Sequence, residues 1–453
     1  MSLFCQFEEI NRHQKYSDFY HIHRLRMRRL DSETKSDRLV GMVSAGKLVF
    51  FMVVYFSAIG AVANVSVTAS QYPGLNQFEG IFSAGYLFEY KFNSNFKIKV
   101  EPFAQAISKD SAFFQFKELD LQIKNSGQIY KIGYSTTEWE GTDFINPMDF
   151  TNPKNFQDPL NPMKISQFNL GVSGQVGDFS FDFLYIPQQK TAVLPGNKSP
   201  WWPHEYAVPT LEKDTILLLP DEVEYQIDDP IFEKGARENN LAFRLQYLGE
   251  NRDITLAFYE GMAVLPKLNP IISIIPIEVS PKTIYLLESP IEIQPSYYRH
   301  RVMAFAYVQT FKYLILRFSA NHSQPIFEAK TSDLWRELGV LSLEKNFPKL
   351  TFLLQAVASK RSESTEVSLV SSLLDKSLMA GFRWPINDQL LWSVAAFQEQ
   401  TNFSYYIKSD LKYNWSETIN QVLTVDSLEG SKSSLLGAFS KNDRVSLKVT
   451  YLF

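Results

Sequence analysis

Acid–base or metal chemistry in this chain would have to be built on three histidines beyond residue 63, His204, His300 and His322. None stands at i, i+4 from another, and none lies beside a carboxylate at ligand spacing, so no metal site is expected. His322-Ser323 supplies the base and nucleophile of a hydrolase in principle. That chemistry also needs a third group to orient the imidazole and a defined serine context. Neither is readable, so no catalytic residue and no cofactor is expected. Charge offers another kind of chemistry. Asp221, Glu222, Glu224, Asp228 and Asp229 form an acidic run, which at the mouth of a cavity would concentrate cations. Their spacing is not that of an EF-hand, and a solvated surface loop explains them equally well. Arg299 and Arg301 flank His300; in a strand the two arginines share one face and the histidine takes the other.

The elements that could position these residues are constrained by composition. Of 453 residues 14% are aromatic and 21% charged, with 36 Phe, 22 Tyr and 7 Trp, which excludes a disordered chain. Only one long apolar run occurs, Leu48 to Ala63, so a bundle of membrane helices is excluded as well. That run follows Lys47 and ends in Ala61-Val62-Ala63, the pattern of a secretory signal peptide. Residues 42–63 are therefore read as the signal. Residues 1–41, with Arg24, Arg26, Arg28 and Arg29, are read as a mis-assigned extension upstream of the natural start at Met42. The remaining 64–453 form one domain with 36 Lys+Arg against 43 Asp+Glu, a net charge of −7. No nucleic-acid footprint remains. The single cysteine, Cys5, lies upstream, so the mature part has no thiol.

From residue 81 onward the apolar pattern has period 2, as strands require. Ala84, Tyr86, Phe88, Tyr90 and Phe92 alternate with other residues, Asn93-Ser94-Asn95 turns, and Phe96, Ile98 and Val100 return. The rhythm continues to the C-terminus without a helical period. Short turns (93–95, 125–127, 177–178, 249–251, 386–388, 414–417) alternate with long connections (139–164, 188–237, 261–296, 322–334, 428–441). That parity fits a transmembrane antiparallel β-barrel of roughly 16–18 strands, with short periplasmic turns and long extracellular loops. Closure also removes the unpaired edges that lipid forbids. Val445, Leu447, Val449, Tyr451 and Phe453 share one face of the last strand. This resembles the C-terminal signal of bacterial outer-membrane barrels, with Tyr451 and Phe453 as its aromatic positions. Trp201, Trp202, Trp384, Trp392 and Trp415 are expected at the membrane interfaces or in loop packing.

Residues 139–153, WEGTDFINPMDFTNP, resemble a porin-like outer-membrane family that carries a Trp-Gly, Asp, Asn-Pro, Asp, Asn-Pro series after an early strand. The matching positions are Trp139, Gly141, Asp143, Asn146, Pro147, Asp149, Asn152 and Pro153; Glu140 departs from the family by separating Trp from Gly. Blocks at 185–196, 258–266, 295–307 and 437–453 are also similar. The resemblance implies a barrel channel in the outer membrane, with cargo left open. The residues themselves describe a stiff segment. Pro147, Pro153, Pro159 and Pro162 cannot sit in a central strand, and Asn146, Asp149, Asn152 and Asn161 favour Asx turns.

Such a segment suits either a rim loop or a constriction folded into the lumen. Trp139, Asp143, Asn146, Asp149 and Asn152, with Arg299 and Arg301 as a lumen-facing basic pair, are the pore candidates. The leading expectation is an outer-membrane channel passing small solutes by passive diffusion. It would be surrounded by outer-membrane lipids and delivered by the barrel-assembly machinery. The alternative is a conduit for hydrophobic or lipid-like substrates working with an inner-membrane exporter, motivated by the apolar run Ile271, Ile272, Ile274, Ile275 and Ile277. A remote alternative is an outer-membrane hydrolase using Ser323.

Overall fold

The computed structural model describes residues 62–452, apart from 203–214, 219–222, 279–282, 327–334, 363–375 and positions 109, 140, 143, 272, 288, 402, 432, 433 and 435. Residues 1–41 and 42–61 lie outside the described residues. The first strand starts at Val62, one residue before the predicted end of the signal at Ala63.

Eighteen strands close into one antiparallel sheet. They are β1 (Val62–Tyr72), β2 (Gln77–Lys91), β3 (Phe96–Ile107), β4 (Phe113–Asn125), β5 (Gln128–Ser135) and β6 (Gln167–Val176). Next come β7 (Phe179–Gln188), β8 (Glu238–Leu248), β9 (Arg252–Met262), β10 (Arg299–Thr310), β11 (Leu314–Ile326) and β12 (Arg336–Phe347). The last six are β13 (Leu350–Arg361), β14 (Lys376–Pro385), β15 (Leu390–Glu399), β16 (Tyr405–Asn414), β17 (Ile419–Glu429) and β18 (Arg444–Leu452). Each strand pairs with its sequence neighbours, and β18 closes on β1 through Val67↔Val449 and Ala69↔Leu447. The strand number lies at the upper end of the expected range.

The parity of the connections holds around the whole barrel. Every even-to-odd connection is a tight turn, and the three longest, 136–166, 189–237 and 263–298, all leave the opposite rim. The short-turn rim therefore needs residues that reverse the chain quickly. Asn93 does this at the β2–β3 turn by accepting bonds from the backbone NH groups of Asn95 and Phe96, and Asn387 repeats the device between β14 and β15.

Facing follows the pleat. Val445, Leu447, Val449 and Tyr451 of β18 point outward, each about 40% exposed, and Phe179, Phe183, Leu241, Phe243, Leu256, Phe318, Leu341 and Leu354 continue the band. Ring residues cluster at the short-turn rim, where Tyr413 packs edge-on against Trp415 and Trp384 lies against Trp392, as an interfacial aromatic girdle does. Water would not tolerate so continuous an apolar exterior, so the barrel wall is built for lipid. On β9 the outward apolar stretch from Ile254 to Phe258 is bounded by Arg252 and Glu260. Eight residues at about 3.4 Å each, tilted as barrel strands are, give an apolar height of roughly 20 Å.

Glycine is required at one wall position. Gly133 of β5 has φ +140°, and a Cβ there would meet the carbonyl oxygen of Leu119 and lie 2.7 Å from the Cα of Asp120. Gly133→Ala is expected to destabilise the barrel by about 1–3 kcal/mol, read as a lower urea midpoint in detergent micelles; an unchanged midpoint would show that the β4–β5 ladder shifts without cost.

Candidate functional site

The site is made by the segment between β5 and β6, which does not stay on the rim. Its base is pinched by Asn152, whose Oδ1 accepts from the Thr137 NH at 2.8 Å and whose Nδ2 donates to the Thr137 carbonyl at 2.7 Å. Asn146 braces the outgoing arm. Its Nδ2 donates to the Trp139 carbonyl at 2.8 Å while its Oδ1 accepts from the Met148 NH at 2.9 Å. A side chain at Gly141 would collide with the Asn146 carboxamide and Met148, which gives the Gly and Asn of the sequence motif a shared physical reason.

Between these braces the segment packs against the inner wall. Trp139 lies edge-on to Phe150 at 5.7 Å, and Phe150 reaches Tyr259 at 5.9 Å. With Met148 they form a buried cluster on Ala242, Ala257, Ala304, Ala306 and Val302, the inward positions of β8, β9 and β10. Alanine on three adjacent strands leaves the room that the loop fills.

The tip crosses to the far wall. The Ile145 NH donates to Gln355 Oε1 at 3.1 Å, and Gln355 Nε2 donates back to the Ile145 carbonyl at 3.3 Å. Asn321 Nδ2 donates to the Pro147 carbonyl at 2.8 Å, and Thr142 Oγ1 lies 3.2 Å from Ser319 Oγ. Ser319, Asn321 and Gln355 are inward residues of β11 and β13. The return arm is held by charge. Asp149 pairs with Lys154 at 2.8 Å and Lys164 at 3.4 Å; burial opposes its ionisation, but the two lysines outweigh burial and hold its carboxyl below the ordinary range. Asp158 meets Arg444 of β18 at 2.9 Å, and Arg444 also reaches Asp426 of β17 at 2.7 Å. Lys408 of β16 donates to Asn161 Oδ1 at 2.7 Å.

What is left open beside this segment is a cavity of about 850 Å³. Phe144, Pro147, Leu160, Lys154 and Lys164 line it from the loop; Leu353, Gly381, Arg383, Ala395, Lys408 and Asp410 line it from the wall of β13 to β16. Phe144 stands over Gly381, 3.0 Å from where a Cβ would be. The lining mixes both signs of charge with an apolar strip, as a wet, narrowed lumen would.

The predicted residues divide as follows. Trp139, Asn146, Asp149 and Asn152 all lie in the infolded segment, while Asp143 lies outside the described residues. The basic pair is corrected. Arg301 shares its strand face with Met303, Phe305 and Tyr307 and pairs with Glu260 at 2.8 Å, so it points outward. Arg299 points the same way and bonds the Glu238 and Asn239 carbonyls. The reason was legible: in a lipid-facing wall the greasy face is the outer one, and the arginines lie on it, whereas His300 is inward and buried. The same alternation separates the proposed hydrolase pair. His322 is outward, and inward Ser323 meets His300 Nδ1 at 3.4 Å instead. Of the acidic run, Asp221 and Glu222 fall outside the described residues, as do His204 and Phe453. Glu224 and Asp229 are exposed beside Tyr225–Ile227, a short strand that pairs with Ile291–Tyr297 in a small sheet at the long-loop rim. The run 271–277 supplies the end of Lys267–Ile271 and most of Ile274–Glu278, strands of the small rim sheets. Trp201 and Trp202 are buried in packed clusters. Gln355, Asn321, Lys408 and Arg444 of the inner wall and Asp158 of the loop were missed, because a polar residue carries no local sign of a distant partner.

No family model matches the chain, and no curated protein matches it in sequence. Its fold is similar to three solved Pseudomonas aeruginosa structures. OccK2 (OpdF), solved in complex with glucuronate, has a TM-score of 0.51 and 10% identity, covering 87% of this chain and 95% of that one. OccK1 (OpdK) has 0.50 and 9%, covering 87% and 98%, and OpdL has 0.50 and 8%, covering 87% and 98%. At these identities the likeness carries architecture alone, and the architecture is a closed, 18-stranded, porin-like antiparallel barrel.

Proposed function

We propose that this protein is an outer-membrane channel that passes small solutes by passive diffusion, with the segment 136–166 as its constriction. The observation that carries this reading is the path of that segment: it leaves β5, is pinned by hydrogen bonds to β11 and β13, and returns along β16 and β18, leaving a cavity of about 850 Å³ beside it. Trp139, Asn146 and Asn152 act by fixing the loop, Asp149 acts through Lys154 and Lys164, and Phe144, Arg383 and Lys408 meet the solute. Selection is then a matter of aperture and lining charge. The likeness of residues 139–153 to the porin-like motif family supports the same place and architecture. The outward apolar pattern of β18, with Tyr451 on it, supports delivery by the barrel-assembly machinery. Ile271, the one isoleucine of the run 271–277 whose side chain is described, does not border this cavity.

Reconstitution into planar bilayers tests the reading. Discrete ohmic steps are expected, with Phe144→Ala raising the unit conductance; a purified, folded barrel that gives no steps at any voltage would sink it.

A further inference from the structure

On the outside of the barrel one sector of the long-loop rim departs from the rest. On five strands outside that sector the last outward residue is apolar or aromatic: Phe78 on β2, Phe114 on β4, Phe168 on β6, Tyr405 on β16 and Val445 on β18; elsewhere it is Gln71 on β1, Gln398 on β15 and the single carboxylate Glu429 on β17. From β9 to β14 charge gathers there instead, on every strand but β11, whose outermost outward residues are Gln324 and Ile326. The register places Glu260 beside Arg301, His322 beside Glu337, and Glu337 beside Lys360, with Lys376 next on β14 opposite Ala358. Arg299 shares the outward face of β10 with Arg301.

The six charges are not evenly spread. Arg299 and Arg301 form one cationic pole, oriented by Glu260 at 3.7 and 2.8 Å. Lys360 and Lys376, both exposed, form a second pole three to four strands away, roughly 15–20 Å at ordinary strand spacing. No carboxylate among the described residues is within ion-pair distance of either lysine. Four cations stand against two carboxylates, and the surplus sits at the poles. Between them His322 stacks on Trp335 with ring centroids 6.2 Å apart, and Lys360 Nζ lies 5.7 Å from the same indole. Below these charges the outward residues turn apolar: Met303 and Phe305 under Arg301, Leu341 and Leu343 beyond Gly339 under Glu337, and Leu378 under Lys376.

We propose that this sector is a binding site for a diphosphorylated glycolipid of the outer leaflet. Its acyl chains would lie along the apolar strands, its two phosphates would meet the two poles, and its sugar would lie against Trp335 and His322. Arginine forks and lysine ammonium groups at a lipid interface are suited to phosphate, and a ring platform between them is suited to a sugar face. The site rests on the reading that the long-loop rim faces the outer leaflet, and it goes beyond the channel function, since none of these residues borders the lumen.

The test uses the full-length purified protein in non-ionic detergent, titrated with diphosphoryl lipid A, monophosphoryl lipid A and phosphatidylglycerol under native mass spectrometry. Lipid A is expected to bind best in its diphosphoryl form. R301Q/K360Q/K376Q is expected to weaken that binding about ten-fold or more, because each interfacial cation contributes separately, at unchanged unit conductance in phosphatidylcholine bilayers. The double variant K360Q/K376Q, which touches no ion pair among the described residues, repeats the test should the triple variant fold poorly. Equal affinity of native and variant protein overturns the proposal. So does phosphatidylglycerol binding as tight as lipid A, or a change in self-association with no change in lipid binding. Absence of conductance with lipid binding intact would instead count against the channel.

Discussion

Replacing residues 141–150 by a four-residue Gly/Ser bridge is expected to raise the single-channel conductance about two- to three-fold, because current follows the narrowest cross-section of a water-filled pore. The bridge is sterically feasible: Thr137 and Asn152, on either side, are already joined by two hydrogen bonds. It removes Phe144 from the cavity, the Ile145–Gln355 pair and the Asn321–Pro147 bond from the far wall, and Met148 and Phe150 from the alanine-lined inner surface. The barrel should survive, since the closure of eighteen strands includes none of these residues. The face left bare carries mostly alanine, whose small side chains expose little apolar surface to water. A milder form of the experiment is Asn321→Ala with Gln355→Ala, which frees the tip while leaving its mass in place; it should broaden the distribution of conductance levels. Conductance unchanged by the bridge would mean that the narrowest point lies elsewhere and that this loop is only a packed plug.

Arg444→Met is expected to destabilise the folded barrel by about 3–5 kcal/mol, the cost of leaving buried carboxylates without their counter-charge. Arg444 is 3% exposed as a side chain, Asp426 0% and Asp158 14%, so water cannot replace the guanidinium. The same residue joins the last strand to the return arm of the loop, and its guanidinium lies 5.7 Å from the Trp201 ring. Loss of stability and a loosened constriction should therefore appear together. The pH dependence follows from Asp158. Burial opposes its charge, but Arg444, the Asn161 amide and the Leu160 NH outweigh burial and hold its carboxyl below the usual aspartate range. A depressed carboxylate contributes stability that is fully present above the unfolded value near 4 and is lost as pH falls through the lower folded value. Resistance of the native protein to urea should thus fall below about pH 4, and Arg444→Met should flatten that dependence. A variant as stable as the native protein, with the same acid slope, would show that the triad contributes nothing net.

How much of this was legible depends on which interaction carried the information. Phe179, Phe181, Phe183 and Tyr185 announce both a strand and its lipid face, because period 2 and apolarity are local properties. The facing of Arg301 could have been read by the same rule from Met303, Phe305 and Tyr307. The destination of the 136–166 segment could not. Its prolines and Asx residues show that it is stiff, yet stiffness suits a rim as well as a lumen. The choice was made by Gln355, Asn321 and Arg444, which stand 210, 174 and 286 residues from their partners.

The sequence by itself thus determined a closed transmembrane barrel, the sorting of its connections by parity, and a rigid candidate loop, since alternation, turn chemistry and proline act within a few residues. Only the tertiary structure decided that the loop enters the lumen, which wall holds it, and where charge gathers on the outer face. Those outcomes are set by register and closure, which bring distant inward and outward positions side by side, and no local pattern encodes them.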